Sequence, residues 1–139
     1  FQSNAGTSAC VQCFAGTFSA SVGAALESMW LLCGAGFYST GVGAVSSGAC
    51  VACAPGKYQA IAKATTASAC TDCAAGTYSS GAAAGASSAC IACAAGQYST
   101  TVGANLLSFC KPCGAGSFSA IGSTECNFCA GGTTFYGFP

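Results

Sequence analysis

The chain has 139 residues, three basic and three acidic side chains, no histidine and a net charge of zero. Leu, Ile, Val and Phe number 23, about 17% of the chain, below the ~20% at which core-building material becomes scarce. With no histidine or arginine, imidazole catalysis, histidine metal sites and arginine phosphate clamps are excluded, and Lys57, Lys63 and Lys111 are too few to neutralise a nucleic-acid backbone.

The nominal 53% hydrophobic content consists mostly of 30 alanines and 13 cysteines. A disordered chain of this kind would carry a high net charge, and this one carries none. Cysteine at about 9% falls in the range of disulfide scaffolds. Cross-links rather than an apolar core are therefore expected to hold the fold. The longest strongly apolar stretch, Met29 to Phe37, contains three small residues and cannot span a bilayer, so no membrane insertion is expected. The sequence opens at Phe1, which reads as a mature or partial chain, with secretion inferred from the cysteines.

In chain order, residues 1–12 read as the end of a preceding unit, closed by Cys10. Units follow at about 13–32, 33–52, 53–72, 73–92, 93–112 and 113–128, with a partial unit at 129–139. Cys13, Cys33, Cys53, Cys73, Cys93 and Cys113 are spaced by 20 without drift. Cys10, Cys50, Cys70, Cys90 and Cys110 precede their partners in C-x-x-C by three residues, and Trp30 stands at the one gap. The last interval contracts to 16, giving Cys126 and Cys129.

Glycine follows each second cysteine by three residues, at Gly16, Gly36, Gly56, Gly76, Gly96, Gly116 and Gly132. It is expected to supply a positive φ for a tight turn. Phe18, Tyr38, Tyr58, Tyr78, Tyr98 and Phe118 come two further on, and as the large side chain common to these units each is the expected packing contact against a neighbouring disulfide. The stretches 41–49 and 81–89 show no period of 3.6 or 2 and read as loops or very short strands. Ordering 20 residues costs roughly 20–40 kcal/mol of backbone entropy, whereas a disulfide closing a loop of about 16 residues contributes about 3 kcal/mol. Stacked neighbours must supply the remainder. The expected fold class is a small disulfide-rich, elongated, solenoid-like array of ~20-residue repeats, with short β-strands and loops and little helix.

The string C-x-x-G-x-[FY]-S…C-x-x-C, best seen in residues 53–59, resembles the cysteine-rich repeats called ephrin-receptor-like. It is similar to the single-disulfide A-type modules of tumour-necrosis-factor receptors, and the likeness runs from about Cys10 to Cys129. Trp30 in place of cysteine, the short last unit, and alanine or glycine where proline is usual depart from that pattern. Sequence alone allows several connectivities. The resemblance implies Cys33–Cys50, Cys53–Cys70, Cys73–Cys90, Cys93–Cys110 and Cys113–Cys126. Cys10, Cys13 and Cys129 then remain, with Cys13 the unpaired candidate because Trp30 replaces its partner.

C-x2-C-x16-C-x2-C is also zinc-ribbon spacing. Three lysines cannot balance several tetrathiolate sites, and the uniform G-x-[FY] phase suits disulfides better, so no metal or cofactor is expected. Redox dithiols lack the accompanying βαβ pattern. Glu27, Asp72 and Glu125 lie far apart in the sequence, so no enzyme activity is expected. Asn4, Asn105 and Asn127 fail the N-glycosylation sequon, while 18 serines and 12 threonines leave O-linked glycans open. With so few charges, either sugars or other protein chains must cover the surface. Trp30 with Leu31 and Leu32 fills the space of a missing disulfide or anchors another chain.

The favoured function is a structural protomer of an extracellular or cell-surface filament, hair or sheath, a homo-polymer of copies of itself. The alternative is a ligand-binding or adhesive stalk of a receptor-like ectodomain. Near-identical, almost uncharged units suit repetition better than a distinctive binding patch. Cys129 opens a unit and Cys10 closes one, so these residues, with Phe135, Tyr136 and Phe138, are the inter-protomer candidates for head-to-tail joining.

Overall fold

The computed structural model describes residues 11–21 and 26–129. Those residues form a disulfide-rich repeat array in which the first five repeats use the same three pieces in the same order, and the shorter last repeat lacks the middle one. A two-residue strand follows the C-x-x-G turn: β1 (Thr17–Phe18), β3 (Phe37–Tyr38), β5 (Lys57–Tyr58), β7 (Thr77–Tyr78), β9 (Gln97–Tyr98) and β11 (Ser117–Phe118). A single 3-10 turn comes next, at Glu27–Met29, Ser47–Ala49, Ala67–Ala69, Ser87–Ala89 and Leu107–Phe109. The second strand lies inside the following C-x-x-C: β2 (Leu31–Leu32), β4 (Val51–Ala52), β6 (Thr71–Asp72), β8 (Ile91–Ala92), β10 (Lys111–Pro112) and β12 (Asn127–Phe128). Each first strand pairs with the second that follows it, making six two-stranded sheets. The pairing is antiparallel, as in Phe37 opposite Ala52 and Tyr38 opposite Val51.

The motif's glycine accounts for the tight entry into each first strand. The Phe37 amide donates to the Gly34 carbonyl at 3.2 Å, closing a four-residue turn whose third position is Gly36 at φ +84°. A positive φ at that position is the requirement of a type II turn, and glycine meets it without steric cost. Where the fourth residue carries a hydroxyl, it also donates to the first carbonyl: Thr17 to Phe14 and Thr77 to Ala74 at 2.7 Å, Ser117 to Gly114 at 2.6 Å. The Gly36 carbonyl in turn accepts from the Cys53 amide at 2.8 Å, which ties the turn to the next second cysteine.

Little apolar mass is buried. Cys33 and Cys53 are 1% exposed, and Cys73 and Cys93 are fully covered. The polar residue after five of the six aromatics, Ser39, Gln59, Ser79, Ser99 or Ser119, is also buried, with no more than 3% exposed, while Ser19 after Phe18 is half-buried. The aromatics themselves are half-buried. A spine of sulfur and backbone hydrogen bonds thus stands where a larger domain would place leucine and phenylalanine. Such a core suits a chain with about 17% Leu, Ile, Val and Phe.

The described residues gather into two compact units. One holds the described residues up to Ala54 with Tyr58–Thr71 and Ala82–Ser87; the other holds Pro55–Lys57, Asp72–Gly81 and the described residues from Ser88 onward. Within the first, Ser39 accepts from the Gly16 amide and donates to the Ala64 carbonyl, both at 3.0 Å. Gln59 stands likewise between Gly36 and Ala84, at 2.8 and 2.9 Å. Within the second, Ser79 stands between Gly56 and Ala104, and Ser99 between Gly76 and Ser123. Parallel bridges Tyr38 to Ala64, Tyr58 to Ala84 and Tyr78 to Ala104 accompany these bonds. Each interior described repeat is therefore hydrogen-bonded through its backbone to the repeat before and the repeat after it, as a repeat architecture requires.

Candidate functional site

The surface at which one repeat receives the next is the feature with functional content. It is made of backbone, and two positions shape it. The first is the C-x-x-G glycine. The second, about ten residues after each second cysteine, also has positive φ: Gly43 (+70°), Lys63 (+66°), Ala83 (+59°), Gly103 (+72°) and Gly122 (+75°). The amides of these residues donate to the carbonyls of Cys13, Cys33, Cys53, Cys73 and Cys93, all at 2.8–2.9 Å. Their own carbonyls then cover the glycine two repeats earlier. A Cβ on Gly16 would stand 2.7 Å from the Lys63 oxygen, and one on Gly36, Gly56 or Gly76 would overlap the oxygen of Ala83, Gly103 or Gly122.

Gly96 and Gly116 present the same ledge, at φ +82° and +77°, with no described residue within 4 Å of a Cβ placed there. Gly16, Gly36, Gly56 and Gly76 are buried, Gly96 is half-buried and Gly116 is exposed. Cys113 is half-buried where Cys33, Cys53, Cys73 and Cys93 are sealed. Among the described residues, no later backbone covers this surface in the last two repeats.

Five disulfides join Cys33 to Cys50, Cys53 to Cys70, Cys73 to Cys90, Cys93 to Cys110 and Cys113 to Cys126. Their Cα separations of 5.5–5.8 Å lie in the range a disulfide spans without backbone movement. Cys13 and Cys129 are free thiols, Cys13 buried and Cys129 half-buried. Trp30 is half-buried, its ring meeting that of Phe14 edge to face at 5.1 Å. Cys10, Phe135, Tyr136 and Phe138, named as joining residues, lie outside the described residues.

Among the described residues, no group of three His, Cys, Asp or Glu is placed to hold a metal ion, and no helix is long and apolar enough to cross a membrane. Lys57 and Asp72 form an exposed ion pair at 2.6 Å. A shallow open pocket of about 360 Å³ lies against residues 58–71, walled by Tyr58, Lys63, Thr65 and several alanines, without converging charge. It offers little to orient a ligand.

Two elements of this surface escape a reading of the sequence. The second positive-φ position is glycine at Gly43, Gly103 and Gly122, but lysine and alanine at Lys63 and Ala83, so its phase is blurred. The buried Ser and Gln row is visible as a motif position, yet polar residues read as exposed by default. No family model matches the chain, and no curated protein matches it.

Proposed function

We propose that the chain is a structural protomer of an extracellular filament, hair or sheath, extended head to tail by continuing the stacking of its cysteine-rich repeats, and that it carries no catalytic activity. The repeats are of the ephrin-receptor-like kind, close to the A-type modules of tumour-necrosis-factor receptors, and copies of the chain are its main partners. Five disulfides fit an oxidising, extracellular compartment.

The observation that carries this reading is the ledge at Gly96 and Gly116, which no described residue covers. Within the chain the identical ledge is covered by the backbone of later repeats, so the surface's natural complement is another repeat of the same kind. A contact made by one end on the other is heterologous and propagates unless its rotation closes a ring. Recognition through backbone amides and carbonyls also explains how repeats with interchangeable, uncharged side chains associate specifically.

Sedimentation of the purified chain tests this, with Gly116→Asn as the probe. Asparagine tolerates a positive φ better than most residues, while its Cβ occupies the ledge. The wild-type chain is expected to form sedimenting polymers and the variant to remain dispersed with its disulfides intact. A wild-type chain that stays monomeric at high concentration, or a variant that polymerises equally well, contradicts the reading.

A further inference from the structure

We propose that the 3-10 turns of the first unit are sites of O-linked glycosylation, at Ser46, Ser47, Thr65, Thr66, Ser68 and Ser87. The inference rests on the extracellular reading above and assigns residues to the O-linked glycans that the composition leaves open.

The structure sorts the hydroxyls into two classes. One class is consumed by the fold. Thr17, Ser39, Ser79, Ser99 and Ser119 are at most 3% exposed, and Thr17 and Ser119 each donate to a backbone carbonyl at 2.7 Å. Thr77, Ser117 and Ser123 also donate to carbonyls three residues back. The other class is exposed. Part of it lies off the turns, at Ser21, Thr40, Thr71 and Ser80, and Ser28 lies on the first turn between Glu27 and Met29; the groups with mostly small neighbours are Ser46 and Ser47 before Cys50, Thr65, Thr66 and Ser68 before Cys70, and Ser87 before Cys90.

The turn itself does not demand these hydroxyls. Ser46 and Thr66 occupy the position that precedes the 3-10 turn, where a hydroxyl normally accepts from an amide of the first turn. Neither makes that bond. Leu26 and Leu106 hold the same position in other repeats and the same turn forms. Within the turns, the hydroxyls of Thr66 and Ser68 bond to one another at 2.7 Å. Apart from Val45, the flanking residues are alanine, glycine, serine and threonine, and the hydroxyl-bearing residues are exposed to a transferase.

The surface around them supplies the physical need. Val45 and Ile61, near the turns in sequence, are each 76% exposed, and only 4% of the chain is charged. A surface so apolar and uncharged is prone to non-specific association. Sugars on the turns would hydrate it while leaving the buried backbone ladder untouched. The chemistry is a glycosyl transfer from a sugar carried as an activated phosphate ester. The serine or threonine oxygen bonds to the anomeric carbon, the anomeric bond to phosphate breaks, the phosphate leaves with the electron pair, and the hydroxyl proton passes to the transferase base.

Mass spectrometry of protein isolated from its native source tests the proposal, first intact and then after base-catalysed β-elimination, which tags each residue that carried a sugar. The expected result is an intact mass above that of the disulfide-bonded polypeptide by sugar increments, with tags on the turn residues and none on Ser39, Ser79, Ser99 or Ser119. A bare polypeptide mass, phosphate increments in place of sugars, or tags on the buried row would overturn it. The readout is independent of polymerisation, so failure here leaves the filament reading standing, and the converse.

Discussion

Gly36 lies directly beneath the carbonyl oxygen of Ala83, two repeats further along the chain, so closely that any side chain at position 36 would force one of the two backbones to shift. The same relation links Gly16 to Lys63, Gly56 to Gly103 and Gly76 to Gly122. The glycine of C-x-x-G therefore has two duties. It takes the positive φ of the turn, and it lets a later backbone approach.

These duties separate by substitution. At Gly36→Ala the positive φ costs about 1–2 kcal/mol and the forced overlap with the Ala83 carbonyl about 1–3 kcal/mol more. At Gly96→Ala the first cost applies alone, because no described residue covers that ledge. Denaturant unfolding of the two variants is expected to show Gly36→Ala as the more damaging. Equal losses would mean that the close approach contributes nothing.

Ala83 and Lys63 hold a left-handed conformation that Gly43, Gly103 and Gly122 hold without strain. Ala83→Gly and Lys63→Gly relieve a penalty of about 1–2 kcal/mol and incur about 0.5–1 kcal/mol of extra chain entropy. A net gain of about 0.5–1 kcal/mol in unfolding free energy is expected for each. A loss would show that the side chain contributes more than the backbone strain takes away.

Much of this organisation is legible in the sequence because it is written in residues with distinctive backbone or covalent chemistry. The 20-residue phase of Cys13 to Cys113 announces the repeat, and Gly36 with its counterparts announces the turn. The disulfide-rich array of short strands with little helix follows from both, given so few core-building residues. Pairing is less legible, since the spacing admits several connectivities and only geometry decides among them. The contact between Gly36 and Ala83 is not legible at all. It joins two backbones across a long stretch of chain, and at Ala83 no glycine marks the spot. Ser39 and Gln59 hide for a different reason: their burial serves their backbone groups, and at Gln59 the side-chain Oε1 also accepts from the Gly36 amide.

Trp30 interrupts the cysteine phase, and Cys13 is free and buried. Trp30→Cys is expected to create a sixth disulfide with Cys13. The new loop contributes about 3 kcal/mol, which must exceed the loss of the Phe14–Trp30 ring contact, about 0.5–1.5 kcal/mol, together with the tryptophan's half-buried area. Non-reducing peptide mapping should find Cys13 linked to the new cysteine, with a higher unfolding midpoint. A persisting free thiol at Cys13 would show that tryptophan has reshaped the site beyond the reach of a disulfide.

Cross-links, not charge, hold the fold. The Lys57–Asp72 pair is exposed, 39% and 45% by side chain, so its contribution is at most about 1 kcal/mol. Raising ionic strength should barely move the unfolding midpoint, whereas reducing the five disulfides, each closing a loop worth about 2–3 kcal/mol, should unfold the chain. Circular dichroism under both conditions checks this. Retained structure after full reduction, verified by thiol counting, would require another source of stability.

The central claim is that the ladder of backbone hydrogen bonds between repeats continues from one copy of the chain to the next. Electron microscopy of the native material addresses it most directly. Filaments in which the C-x-x-G ledges of Gly96 and Gly116 are covered by the backbone of further repeats, as Ala83 covers Gly36, are the predicted result. Separate, unassembled particles, or filaments in which that ledge faces solvent, would contradict the account.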